Sequence, residues 1–369
     1  MKTQDKEYLN SKLLKKDRPF PLLGLLELTY RCSLDCIHCY CKGSEDKNKE
    51  LDFGAWKNIL DTICREGCLW LTFSGGDPLV RDDFLDIYAY ARKKGFIISL
   101  FTNGQAFTAE IIDYLAQFPP YVIEITLNGI TADTYEAVTG AAGSYLKAMD
   151  TIRLLAAKKL PLILKSNCLR QNRHELVKIK KWTEQLLGKP QGQKHFFKYD
   201  PMIYPRFNGE KTPCEYRLSA GQMEDLVKED ADIWREYKNG LHHSSRELGG
   251  DRECLYRCDA WRRQFFINPY GRLKFCQWTE KFSVDLQTTS FAEGFYQVFP
   301  RLLDEKFKTD SKCKTCSARA NCYFCPPRAY LETKNEEAPV SYYCELAQAA
   351  QEQRQRVLQD SKRNVQQAD

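Results

Sequence analysis

From residue 22 to about residue 201 the chain alternates compact apolar or β-branched runs with amphipathic stretches. The runs fall at residues 22–29, 68–73, 97–101, 121–127, 161–166 and 196–199. Each is short and almost continuously apolar, the pattern of a strand buried on both faces of a parallel sheet. Between them, residues 54–65, 82–93, 109–118, 144–158 and 173–187 repeat apolar positions at helical spacing, and Gly67, Gly95 and Gly188 stand where helices should stop. Six β–α units in this rhythm predict an α/β fold around a parallel sheet, barrel-like or doubly wound.

The rhythm breaks after Asp200. Residues 202–213 are rich in Pro and Gly and read as an irregular connection. Residues 219–239 predict one helix with Ser219 as its N-cap. Residues 254–344 are poor in helical periodicity and rich in Cys, Pro and aromatics, as in a small domain that buries too little apolar surface alone and is stapled by metal. Residues 345–357 predict a polar terminal helix, and no internal repeat is visible. The expected organisation is a polar N-terminal segment (1–20), a barrel (21–215), a connecting helix or linker (216–250) and a Cys-rich domain with a terminal helix (251–369).

Composition narrows the class. In 369 residues, 43% hydrophobic and 28% charged residues are ordinary for a folded soluble protein. No apolar run approaches membrane-spanning length, and the lysine-rich start lacks the apolar core of a signal peptide, so a cytoplasmic location and no membrane partner are expected. The net charge of +6 is spread without a basic block, and no aromatic-and-basic pattern points to nucleic acid. The sixteen cysteines are the outlier. In a reducing compartment they are not a disulfide framework, which leaves metal binding as the alternative.

Cys32, Cys36 and Cys39 directly follow the first predicted strand. The C-terminal ends of parallel strands are where α/β folds place their active sites. Three thiolates can hold three irons of a four-iron cubane, leaving the fourth iron open to a ligand. The competing readings are a zinc ion with His38 or Cys41 as fourth ligand, and buried unligated thiols.

Cysteine, three residues, cysteine, one residue, an aromatic and cysteine resembles the signature of the radical S-adenosylmethionine (SAM) superfamily, with His38 in the aromatic slot. Ser74-Gly75-Gly76-Asp77-Pro78 resembles that family's Gly-Gly-Glu-Pro motif, with Asp77 one methylene shorter. Thr102-Asn103-Gly104 and Ile125-Thr126-Leu127-Asn128-Gly129 also resemble it, as do Thr134-Tyr135-Glu136, Thr139-Gly140 and Gly143-Ser144-Tyr145. The resemblance implies a partial (β/α)6 TIM-like barrel with a small Cys-rich C-terminal iron–sulfur domain. It implies that Cys32, Cys36 and Cys39 are catalytic and hold a [4Fe–4S] cluster. It further implies that SAM is contacted by residues drawn from His38, Tyr40, Gly75, Gly76, Asp77, Pro78, Asn103, Thr126, Asn128 and Lys165. Asn167 ends the fifth strand at the same edge.

A second array comprises Cys254, Cys258, Cys276, Cys313, Cys316, Cys322, Cys325 and Cys344. It resembles the SPASM extension, which carries auxiliary iron–sulfur clusters in peptide-modifying radical enzymes; two residues rather than three separate Cys322 from Cys325. The resemblance implies one or two auxiliary [4Fe–4S] clusters, one on Cys254, Cys258, Cys276 and Cys325 and the other on Cys313, Cys316, Cys322 and Cys344. Zinc sites of ribbon type, or a single cluster with Cys254 free, fit the spacing as well. Cys41, Cys64, Cys68, Cys168 and Cys214 are left over.

The family implies reductive cleavage of SAM to a 5′-deoxyadenosyl radical, with hydrogen abstraction from a peptide or protein substrate in the maturation of ribosomally made peptides. The alternatives are a tetrapyrrole or other small molecule, and a non-catalytic iron–sulfur or zinc module. The short stretch before the first strand suggests a separate recognition protein or direct substrate capture. An external electron donor of flavodoxin or ferredoxin type is expected. Glu124, Tyr204 and Arg206 lie at plausible places for proton handling.

Overall fold

The computed structural model describes residues 18–188, 196–238 and 253–366 of the chain. Six strands, β1 (Leu23–Thr29), β2 (Trp70–Gly75), β3 (Ile97–Thr102), β4 (Val122–Thr126), β5 (Leu162–Asn167) and β6 (Phe197–Asp200), pair in parallel and in sequence order. Helices α1 (Phe53–Arg65), α2 (Phe84–Lys93), α3 (Ala109–Gln117), α4 (Ala132–Thr139), α5 (Ser144–Ala157) and α6 (Leu176–Leu187) connect them. The result is an open partial (β/α)6 barrel.

Period-two alternation assigns the two faces of each strand. On β1, Leu26 and Leu28 are fully buried against a core that includes Trp56, Leu60 and Ile63 of α1. Leu25, Glu27 and Thr29 take the opposite, concave face. Each fully buried aliphatic or aromatic side chain of that core contributes roughly 1.5–3 kcal/mol. Asp52 caps α1 and Thr108 caps α3 through their side-chain oxygens.

The sheet does not stop at β6 and β1. Beyond β1 it continues through β7 (Gln264–Ile267), parallel to β1, and then antiparallel β8 (Arg272–Lys274) and β9 (Val284–Asp285). Thus the Cys-rich region extends the barrel's own sheet across residue 251. It is also richer in core than its periodicity suggests. Phe265, Ile267, Leu273, Phe295, Phe299 and Leu302 are fully buried in the same cluster as the barrel core. Edge-on, stacked and tilted ring pairs at 4.9–5.8 Å tie Phe265, Phe291, Phe295 and Phe299 together. Aromatic packing rather than metal alone anchors this segment.

The helix expected over 219–239 is two helices among the described residues, α7 (Ala220–Glu229) and α8 (Ala231–Lys238). Ser219 forms the expected cap, as a full capping box with Gln222. The break falls at Asp230, whose buried carboxylate accepts hydrogen bonds from the Asp232 and Ile233 N–H groups and so starts α8. Helices α9 (Pro326–Thr333) and α10 (Ser341–Gln366) complete the fold, α10 beginning four residues earlier than its polarity pattern indicates. Residues 239–252, part of the expected linker, lie outside the described residues.

Candidate active site

All six parallel strands deliver their C-terminal ends to one concavity of about 280 Å³. The loop after β1 carries Cys32, Cys36 and Cys39 and is suspended from several elements. On its N-terminal side, Arg31 pairs with Glu50 at 3.2 Å. Arg81 supports the same region by donating to the Leu28 and Leu51 carbonyls. In the middle, the Asp35 and Ile37 N–H groups donate to the free carbonyls of Thr139 and Val138 at the end of α4. At its end, the Tyr40 carbonyl accepts from Phe207 N–H, and the Pro269 carbonyl after β7 accepts from Leu51 N–H.

The loop brings the three thiols within electrostatic reach of one another. Burial pushes Cys32 up to about 11 and Cys36 further up, and the neighbouring thiols add to both shifts. Cys39 lies 3.5 Å from Cys41, whose hydrogen bond lowers it to about 7. Three converging thiolates repel one another unless a cationic centre sits between them. The donor set fits an iron cluster, which takes thiolates as its ligands. Asn103 Nδ2 donates to Cys32 Sγ at 3.1 Å.

Gly75 ends β2 and Gly76 follows it. Gly75 has φ +133°, and a Cβ there would overlap the Thr29 carbonyl. A Cβ on Gly76 would overlap the carbonyl oxygens of Arg31 and Tyr30. The β2 backbone therefore lies against the cysteine loop with no space for a side chain on that side. Asp77 is fully buried, and its carboxylate accepts from Leu79 N–H (2.9 Å), Thr102 Oγ1 (2.8 Å) and Asn103 N–H (3.0 Å). Desolvation raises its pKa, against those three donors.

The remaining wall is mixed. His38 is desolvated and held neutral, with its pKa lowered to about 4; Asn167 is a hydrogen-bond partner, while His38 Nδ1 is buried without one. A polar atom left unpaired in this concavity is positioned for a ligand. Lys165 lies 3.4 Å from Glu124 and 3.7 Å from Asp200, and Lys198 holds the second Glu124 oxygen at 2.7 Å. Tyr204 and Trp278 line the side toward the Cys-rich region, with ring centroids 4.3 Å apart. Gln277 and Trp278 also border a second cavity of about 700 Å³, which Lys274, Lys281, Glu305 and Glu336 help to line.

The second cysteine array divides into two groups by mutual electrostatic influence. Cys276 feels Cys325 and Cys258. Cys313 feels Cys322 and Cys344, and Cys344 in turn feels Cys316. The Cys254 thiol faces the Leu303 carbonyl at 4.0 Å. All sixteen cysteines are free thiols, and no three Cys, His, Asp or Glu side chains among the described residues converge on a single-ion site.

Of the residues singled out in the sequence, the three thiols, His38, Tyr40, Gly75, Gly76, Asn103, Thr126, Asn128 and Lys165 line the concavity. Asp77 and Pro78 are buried behind it. Instead of facing the concavity, Asp77 orients Asn103. Asn128 Oδ1 accepts from Asn167 N–H at 2.9 Å, which ties β4 to β5. Glu124 is sealed by lysines, and Arg206 pairs with Glu210. Asp200, Gln277 and Trp278 were not singled out. The strand-end rule applied to β6 finds Asp200, and adjacency to Cys276 marks the other two.

Residues 26–183 match the Radical SAM superfamily. The AdoMet-dependent heme synthase of Methanosarcina barkeri is 24% identical over 344 residues, 88% of this chain and 97% of that protein. The PqqA peptide cyclase of Rhodopseudomonas palustris is 33% identical over 160 residues, which is 43% of this chain and only 42% of the cyclase. Among solved structures, native anSMEcpe with bound AdoMet superposes with a TM-score of 0.66 at 18% identity, covering 94% of this chain and all of that one. That likeness shows the fold.

Proposed function

From the match of residues 26–183 to the Radical SAM superfamily we propose that the chain is a radical SAM enzyme that modifies a peptide or protein substrate by radical chemistry. A [4Fe–4S] cluster and SAM, when bound, supply the 5′-deoxyadenosyl radical that removes hydrogen from an unactivated C–H bond. Cys32, Cys36 and Cys39 would hold that cluster. Asn103 donates to Cys32, while the bare backbone of Gly75 and Gly76 lets the end of β2 pack directly against the backbone of β1 and the cysteine loop. Lys165 and Asn128 flank the far side, and Tyr204 and Trp278 close the wall against water.

The observation that carries this reading is the meeting of three thiols and a side-chain-free strand end in one concavity, with a second cysteine array behind the adjoining wall. That array holds up to two auxiliary clusters, on the ligand sets drawn from the sequence. The similarity to a peptide cyclase over the domain favours a peptide. A separate recognition protein, a flavodoxin- or ferredoxin-type donor and a reducing cytoplasmic location complete the proposal. No helix among the described residues is long and apolar enough to cross a membrane. The test is anaerobic incubation of the reduced, reconstituted protein with peptides encoded beside its gene, read by mass spectrometry. A mass change on one peptide is expected; none on any of them contradicts the peptide reading.

A second reading, a tetrapyrrole substrate, is favoured by the match to the heme synthase along nearly the whole chain. The larger cavity sets Phe207 and Trp278 beside several lysines, of which Lys274 and Lys281 are paired with Glu280, Glu305 and Glu336, and its aromatic side suits a planar ring. The same assay with a propionate-bearing tetrapyrrole separates the two, since loss of carboxylate mass on the ring supports this reading alone.

A further inference from the structure

Arg328 lies in the first turn of α9, three residues after Cys325. The two intervening residues are Pro326 and Pro327, so the start of this helix lacks two of its usual free N–H groups. At the start of this helix the Arg328 side chain supplies positive charge that those two backbone groups do not. Its guanidinium lies 4.5 Å over the ring of Tyr204. Its Nε is buried without a hydrogen-bond partner. The groups that act on it most strongly with negative charge are Tyr204, Cys325, Tyr343 and Cys276. None is a carboxylate. Nearby Arg217 shows the ordinary solution, because it is clasped by both oxygens of Glu332 at 2.8 and 2.9 Å.

Burying a cation is costly unless an anion compensates it. Neutral thiols and phenols do not. An iron–sulfur cluster on thiolates carries net negative charge, and it gains more on reduction. We propose that Arg328 is the counter-cation of a cluster whose ligands include Cys258, Cys276 and Cys325, and that its charge raises the reduction potential of that cluster. This rests on the reading of those cysteines as cluster ligands. The direction follows from Coulomb's law, since a fixed positive charge favours the form with one more electron. The position gives the effect a use. Tyr204 and Trp278 both line the SAM concavity, so Arg328 stands one ring away from it. A cluster biased toward reduction there is suited to take one electron from a substrate carbon radical, as the substrate releases a proton to solvent or base.

The test uses the full chain with Cys32, Cys36 and Cys39 replaced by Ala, reconstituted anaerobically, so that only auxiliary clusters remain. Each variant is analysed for iron and sulfide and titrated with dithionite and redox mediators, followed by electron paramagnetic resonance. In Arg328→Gln one cluster signal is expected to shift to lower potential, while Arg328→Lys stays near the parent. Loss of one cluster's iron in Arg328→Gln, with retention in Arg328→Lys, also supports the proposal. Unchanged iron and potential in Arg328→Gln overturns it, as does Arg328→Lys behaving like Arg328→Gln. A parent that binds no iron, or binds zinc, contradicts the cluster reading itself.

Discussion

The side-chain amide of Asn103 reaches from the end of β3 to donate to Cys32 Sγ, while Asp77 holds the backbone N–H of the same residue. The third strand thereby fixes one sulfur of the cysteine loop. Hydrogen bonds to ligand sulfurs help set cluster potentials by stabilising added negative charge. Asn103→Ala should therefore lower the potential of the cluster on Cys32, Cys36 and Cys39. Potentiometric titration checks this, and an unchanged potential would show that the bond does not persist in the loaded protein.

Asp77→Asn replaces one accepting oxygen with a donor that faces donors from Leu79, Thr102 or Asn103. An unsatisfied buried polar group costs about 1–3 kcal/mol. A lower urea midpoint is expected, together with weaker SAM binding because Asn103 is released. Equilibrium dialysis of the reconstituted protein reads the second effect.

Gly76→Ala should be harsher on the site than on the fold. The new methyl group overlaps the Arg31 and Tyr30 carbonyls, and both chains belong to the cysteine loop or its approach. The expected result is a folded protein by circular dichroism that loads less iron and binds little SAM. Normal loading and binding would mean that β2 need not approach the loop so closely.

Much of this was legible because parallel strands and metal ligands leave strong local signals. All six barrel strands are readable as apolar runs, with no end shifted by more than two residues. The cysteine spacing marks the site directly. What was not legible depends on contacts between distant segments. Helix α4 lies where the sequence shows only a resemblance in its motifs, yet its terminal carbonyls hold Asp35 and Ile37. Strand β7 has only four residues and joins β1 because Phe265 and Ile267 find the barrel core. Asp77 reads as a ligand-facing carboxylate in its motif, and only three-dimensional contacts reveal its buried, inward role. The division of residues 219–239 at Asp230 depends on Lys180 and Tyr199, which are remote in sequence.

Asp230 also gives a pH prediction. Burial works to raise its pKa, but hydrogen bonds and charge from Lys180, with the Tyr199 hydroxyl, outweigh that and hold it below the usual carboxylate value. The stability it contributes is thus complete above the unfolded pKa of about 3.9 and is lost as pH falls through the lower folded value. Asp230→Ala breaks this buried pair and should destabilise the fold by about 3 kcal/mol at pH 7. The gap between the two proteins should narrow below about pH 4. Denaturation at several pH values checks this, and a constant gap would contradict it.

The most direct measurement is anaerobic iron, sulfide and zinc analysis of the wild type beside the Cys32/Cys36/Cys39 triple Ala variant, with 5′-deoxyadenosine release from SAM under dithionite. The wild type should release 5′-deoxyadenosine, and the variant should lose one cluster's iron and all of that release. Zinc in place of iron at the three-cysteine loop, or undiminished release from the variant, would contradict the assignment of Cys32, Cys36 and Cys39.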